Sequence, residues 1–128
     1  MKKLSLVMIM FVAIMLSGIV GKAQNLTGNW QNPGGVIFKI KQVNELVSIN
    51  ASAYGNEYIM AGFKYPGKNY LHCVCVVYKN GTVLHKIYVK LKIVDNKTIE
   101  DEWECIEAGG GVTKGQTGKE TWLLKGDE

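Results

Sequence analysis

From residue 25 onward, apolar and polar residues alternate with a period of two almost throughout, the pattern of strands with one buried face. The segments "LTGNWQN" (26–32) and "VIFKIKQV" (36–43) are separated by Pro33-Gly34-Gly35, a turn by composition. "ELVSINASA" (45–53) follows Asn44, and "EYIMAGFKY" (57–65) follows Gly55-Asn56. Pro66-Gly67 breaks the chain before "YLHCVCVVYK" (70–79). Asn80-Gly81 is the strongest hairpin signal, because both central residues of a type I′ turn need positive φ. "TVLHKIYVKLKIV" (82–94), a turn at 95–97 and "TIEDEWECIE" (98–107) come next; a Gly-rich loop, "AGGGVTKGQTG" (108–118), then leads into "KETWLLK" (119–125). No stretch carries a helical period with caps. The pattern predicts an all-β fold, an antiparallel up-and-down meander of about eight short strands that closes into a small barrel and so removes its exposed edges.

The turns also predict faces. A two-residue loop at Asn80-Gly81 sets Val77 opposite Leu84 and Val74 opposite Ile87. One face then carries Tyr70, His72, Val74, Val76 and Tyr78, opposite Val83, His85, Ile87, Val89, Leu91 and Ile93. The 95–97 turn continues it to Ile99, Asp101, Trp103 and Cys105, and this face is the expected interior. On the third strand Ala51 and Ala53 are expected to point inward, leaving room, and Asn50 and Ser52 outward. The expected exterior sets Lys86, Lys90 and Lys92 against Glu104, Glu102 and Glu100, which explains the charged run "EDEWE" as cross-strand pairing. It also carries Leu71, Cys73, Cys75 and Val77, an apolar stripe that either a subunit interface covers, making a homo-oligomer, or a different register hides.

The segment before residue 24 is of another kind. Lys2 and Lys3 precede an apolar run over 4–20, which ends on Gly21-Lys22-Ala23. This is the three-part layout of a signal peptide, with cleavage expected after Ala23, and the run is short for a spanning helix. Residues 1–23 are thus read as a leader and 24–128 as one exported domain, secreted or periplasmic, with no membrane association after cleavage. The leader holds three of the 15 basic residues, so the remaining 12 Lys against 11 acidic residues give a net charge of +1. That weak charge, with no Arg in the chain, argues against nucleic-acid binding.

Chemistry-bearing motifs are sparse. Cys73, Cys75 and Cys105 make an odd count, so a fully paired monomer is excluded. His72 points away from the face of Cys73 and Cys75, which weakens a metal reading of "HCVC"; the thiols are best read as small buried hydrophobes. Neither Ser48 nor Ser52 sits in a nucleophile elbow, and the acidic run pairs with lysines. The 108–118 loop lacks P-loop spacing. No catalytic residue, metal or cofactor is assigned, and the chain is not expected to be an enzyme.

A Gly-x-Trp on the first strand of a small meander barrel, here Gly28 and Trp30 in "TGNW", resembles the calycin superfamily, which includes lipocalins and avidins. The nearest likeness is to the avidin family, through "LTGNWQN" and "GKETWLLK" (118–125). The resemblance implies a calycin-like barrel sealed at one end by Trp30 and open to a ligand at the other. It also implies that Asn32 matches a polar ligand-binding residue and Trp122 a wall tryptophan. The chain departs from the family at Val36, where a ureido-binding Ser is expected, and at Asn50 and Ser52, which match a Tyr and a Thr only loosely. Biotin is therefore not the expected ligand.

Independently of that likeness, the expected interior mixes Tyr70, His72, Tyr78, His85 and Asp101 with Val, Ile and Trp, as ligand pockets do. Eight strands lie at the boundary between a barrel filled by side chains and one with a cavity, and both remain open. Two functions follow. The first is a carrier of a small, largely apolar ligand, with Tyr70, Tyr78, Trp103 and Trp122 as walls and His72, His85 and Asp101 for orientation. The second is a protein-interaction or enzyme-inhibitor module with a filled barrel, acting through its loops and outer surface.

Overall fold

The computed structural model describes residues 25–109 and 112–126; the expected leader, residues 1–23, lies outside the described residues. Eight strands follow one another: β1 (Gly28–Gln31), β2 (Ile37–Val43), β3 (Leu46–Ala53), β4 (Asn56–Phe63), β5 (Tyr70–Lys79), β6 (Thr82–Asp95), β7 (Thr98–Glu107) and β8 (Thr117–Gly126). Each pairs antiparallel with the next, and β8 returns to β1, closing the barrel. The all-β meander read from the period-two pattern is the fold of the protein.

A meander barrel has two distinct ends. The β1–β2, β3–β4, β5–β6 and β7–β8 connections lie at one end, the mouth. Residues 25–27 and the other three connections lie at the opposite end, the base. Here Trp30 is 1% exposed and its Nε1–H donates to the Leu26 carbonyl at 2.8 Å. Leu26, Ile40, Val47, Leu71, Leu91, Ile93 and Ile99 are buried with it in one core. Gly28 carries φ 147°, a backbone conformation that side chains exclude, which accounts for the Gly of Gly-x-Trp. Lys64 is also buried and donates an Nζ–H to the Lys68 carbonyl at 2.7 Å.

The expected face of β5 is inverted. The Asn80-Gly81 turn forms as anticipated, with φ 52° and 78°, and Tyr78 pairs with Val83. The next pair is Val77 with His85, so Leu84 is the extra residue of a bulge. One inserted residue turns all of β5 over relative to β6. Leu71, Cys73, Cys75 and Val77 are consequently core, whereas His72 and Val74 are exposed and Tyr70, Val76 and Tyr78 share their outer face. Burial chemistry favours this choice: the inverted register puts small apolar side chains inside and keeps two phenols and an imidazole from needing buried partners. The outer apolar stripe that called for a subunit interface is interior. From the bulge onward β6 keeps its expected face, as does β7, with His85, Val89, Leu91, Ile93, Ile99, Asp101 and Cys105 buried, and Ala51 is buried on β3. Val83, before the bulge and opposite the outward Tyr78, is exposed where the interior was expected.

The outer charges follow the expected pairing in part. Lys90 lies opposite Glu102 and Lys92 opposite Glu100, but a second bulge sets Lys86 opposite Glu107, where they form an ion pair at 3.2 Å. Glu102 makes its ion pair with Lys119 of β8, at 2.9 Å. All three cysteines are buried and free. Burial pushes the Cys73 and Cys75 thiols up to about 12, with the Asp101 charge adding to it, so both stay protonated and unreactive at neutral pH.

Candidate ligand-binding cavity

The mouth half of the barrel is hollow. A cavity of about 250 Å³ opens there, lined by residues of β2, β4, β5, β6, β7 and β8 and of the β1–β2, β3–β4 and β7–β8 connections. Phe38 forms its floor, with its ring stacked on that of Trp122 at 4.0 Å and 9°. Tyr58 and Met60 of β4, Cys75 of β5, Ile87 and Val89 of β6 and Trp103 of β7 line its sides. Val36, Tyr54 and Val112 stand at the lip. Small side chains account for part of the space: Ala51, opposite Tyr58, fills little of the β3 side. On β8, Gly118 leaves its place to the indole of the facing Trp103, whose ring atoms would lie within 2.5 Å of any Cβ there.

Four polar side chains converge on this apolar chamber: Asn32, His85, Asp101 and Glu120. Asp101 of β7 lies directly opposite Glu120 of β8, and their side chains are hydrogen-bonded. An ionised carboxylate only accepts, so one of the two must carry the proton. Asp101 is the carrier. It is 5% exposed, and burial first, then the charge of Glu120, pushes its acid up to about 8. At neutral pH Asp101 is a neutral acid donating to the Glu120 carboxylate.

Glu120 is held in place from two further sides. Trp122 donates Nε1–H to its Oε1 at 2.9 Å, and Asn32 donates Nδ2–H to both oxygens at 3.3 Å. The orientation of the Asn32 amide is itself fixed, since its Oδ1 accepts the Val36 N–H at 2.8 Å. Among the described residues three buried side-chain atoms have no partner, Asn29 Oδ1, Asp101 Oδ1 and His85 Nδ1, and the last two belong to residues that line the cavity at 5% exposure. Two unpaired atoms facing one cavity mark a place where a further polar group fits. At the lip, Tyr54 holds φ 56°, rare for a side chain of its size, and is 80% exposed. Among the described residues no group of three or more His, Cys, Asp or Glu is placed to hold a metal ion.

Of the residues singled out in the sequence, Asn32, His85, Asp101 and Trp103 come together here. Trp122 is fully buried beneath Phe38 and acts on the cavity through Phe38 and Glu120 instead of forming a wall. Tyr70, His72 and Tyr78 lie on the outer face of β5 because of the bulge at Leu84. There His72 Nδ1 is hydrogen-bonded to the Tyr88 hydroxyl, Tyr70 packs edge-on at 5.5 Å, and Lys90 sits over the Tyr70 ring at 5.2 Å.

Sequence reasoning passed over Phe38, Tyr54, Tyr58, Met60, Cys75 and Glu120. Glu120 had a usable signal, since it lies two residues before the inward Trp122 and shares its face. Cys75 depended on the bulge, which has no local signature. Neither a family model nor a curated protein nor a solved structure matches the chain.

Proposed function

We propose that the protein is an exported binding protein that holds a small, largely apolar ligand in the mouth half of its barrel. The carrying observation is the cavity of about 250 Å³, with apolar walls and two unpartnered buried polar atoms. It is smaller than the ~300–1,000 Å³ typical of pockets for drug-sized molecules, which favours a compact ligand. Asn32, His85, Asp101 and Glu120 orient it and Trp103 packs beside it. The closed eight-stranded meander, with Trp30 buried at the base, supports a calycin-like barrel, and an avidin-type opening strand fits Asn32 at the lip. Val36 and the outward Asn50 and Ser52 argue against biotin. The leader over residues 1–23 supports export to the periplasm or beyond.

Native mass spectrometry of the mature protein purified from its own host tests this reading. A retained small organic mass, lost on replacing Asp101 and His85, is the expected result. A bare mass, with no saturable quenching of tryptophan emission by any small amphiphile, would overturn it.

The second reading, an interaction module acting through the outside, draws on a different feature. Ile59 and Phe63 of β4, Val74 of β5 and Tyr88 of β6 are exposed on one outer face. A purified protein that captured a partner protein through this face, with the cavity blocked by a bulky Met60→Trp replacement, would favour it.

A further inference from the structure

The polar chemistry of the cavity is one-sided. Among the described residues that line it there are two carboxyl groups, Asp101 and Glu120, and neither Lys nor Arg. An anionic ligand would meet the Glu120 charge at close range. A purely hydrocarbon ligand would leave Asp101 Oδ1 and His85 Nδ1 unpaired in a still drier chamber. A ligand with a positively charged donor answers both problems, and the aromatic faces of Phe38, Tyr58 and Trp103 suit a cation on an apolar body.

We propose that the cavity takes a small organic amine with an apolar body, its ammonium group displacing the proton that Asp101 and Glu120 share. The inference deepens the binding-protein reading and rests on it. The proton balance is explicit. The ammonium ion enters with its own protons, Asp101 loses its carboxyl proton to solvent, and the two carboxylates then face one cation. One bound cation thus replaces one bound proton, and no bond other than O–H and hydrogen bonds is made or broken. The ammonium protons reach Asp101 Oδ1 and Glu120, and one can be accepted by His85 Nδ1, which is free of any other partner.

The groups that face Asp101 from neighbouring elements are consistent with this exchange. Glu120 stands on β8, His85 on β6 and Cys75 on β5, with Tyr58 across the cavity on β4. Cys75 stays a neutral thiol, its acid raised to about 12, and Glu102 adds negative charge from the outer face of β7. The lining holds no Lys or Arg whose charge would let Asp101 ionise in the empty cavity. Because the acid of Asp101 stands at about 8, the amine must compete with its proton below that pH. Affinity therefore rises with pH, toward about ten-fold per unit, and levels off above about 8.

The test compares benzylamine with benzyl alcohol and benzoate, three probes of one size and shape, by titration calorimetry on the mature protein. Benzylamine is expected to bind at least about ten-fold tighter than benzyl alcohol at pH 8, to lose that advantage toward pH 6, and to release about half a proton at pH 8, rising toward one at lower pH, as read in buffers of different ionisation heat. Asp101→Asn, which keeps the shape of the neutral acid, and Glu120→Gln should each remove the preference, so that either variant binds benzylamine no tighter than benzyl alcohol. Equal binding of amine and alcohol, preference for benzoate, or a pH-independent amine affinity would overturn the inference and leave the cavity reading standing. Binding of none of the three would overturn both.

Discussion

The two ends of the barrel use the same strands in opposite ways. At the base, Trp30, Leu71, Leu91, Ile93 and Ile99 interlock with less than a twentieth of any side chain exposed, and the one indole N–H has its carbonyl partner. At the mouth, the same strands present Tyr58, His85, Asp101 and Glu120 around open space, and two buried polar atoms lack partners. Close packing stabilises, so the base carries the fold's stability. A buried acid beside a second carboxyl, with one oxygen unpartnered, costs stability, so the mouth is where close packing has been given up. Eight strands can enclose either a filled interior or a small cavity, and this barrel does one at each end. Phe38 stacked on Trp122 is the partition between them.

That contrast is sharpened by substitutions at the two ends. The largest effect is expected at the base: Trp30→Ala removes a fully buried indole and should cost about 3–5 kcal/mol, read as a fall in the urea midpoint. At the mouth, Asp101→Asn should act in the opposite direction. The folded chain holds a proton on Asp101 up to about pH 8, whereas the unfolded chain releases it near the ordinary carboxylate value, about 4. Between those values the native state binds more protons than the unfolded state, so stability falls as pH rises, by up to about 1 kcal/mol per unit. Asp101→Asn should flatten that slope and leave the protein more stable than the parent at pH 8. A parent stability curve flat from pH 5 to 8 would contradict the buried neutral acid.

Smaller effects divide the two faces of the wall. Gly118→Ala drives a methyl into the Trp103 ring and should cost about 1–3 kcal/mol, with a shift in tryptophan emission as the indole leaves its seat. His85→Ala should weaken ligand binding, whereas His72→Ala should leave it unchanged, because His72 is on the outside against Tyr88; fluorescence titration of the two variants separates them. Lys86→Ala breaks an exposed ion pair with Glu107 and should change stability by less than ~1 kcal/mol.

Much of the barrel was legible before its structure. Strand boundaries followed from alternation and from the Pro-Gly, Asn-Gly and Gly-rich breaks, since these respond to local backbone rules. The inward faces of β3, of β6 beyond its bulge and of β7 followed as well. The face of β5 did not, because Asn80-Gly81 fixes the register only beside the turn, and the bulge at Leu84 resets it two pairs later. A bulge is a tertiary compromise, chosen here to bury Leu71, Cys73, Cys75 and Val77 in place of Tyr70, His72 and Tyr78. The pattern could have shown it: four apolar residues against two phenols and a histidine already indicate which face belongs inside. Half of the cavity was read for the same reason that half was missed. His85, Asp101 and Trp103 lie on stretches of β6 and β7 whose inward face held, and Asn32 lies just after β1, whereas Cys75 lies on the strand that turned over. The proton shared by Asp101 and Glu120 needed the β7–β8 register, which the long 108–118 loop left undetermined.

Met60 gives the most direct test of a hollow, ligand-binding mouth. It is the one methionine after residue 23, and it lines the cavity. With methyl-labelled methionine in a chain of residues 24–128, its single methyl resonance can be followed while benzyl alcohol or benzylamine is added. A saturable shift of that resonance, with intermolecular NOEs from the probe ring to the Met60 methyl, is the predicted result. A methyl signal that stays fixed through saturating probe, or NOEs that fall instead on outer residues such as Phe63 and Val74, would contradict it.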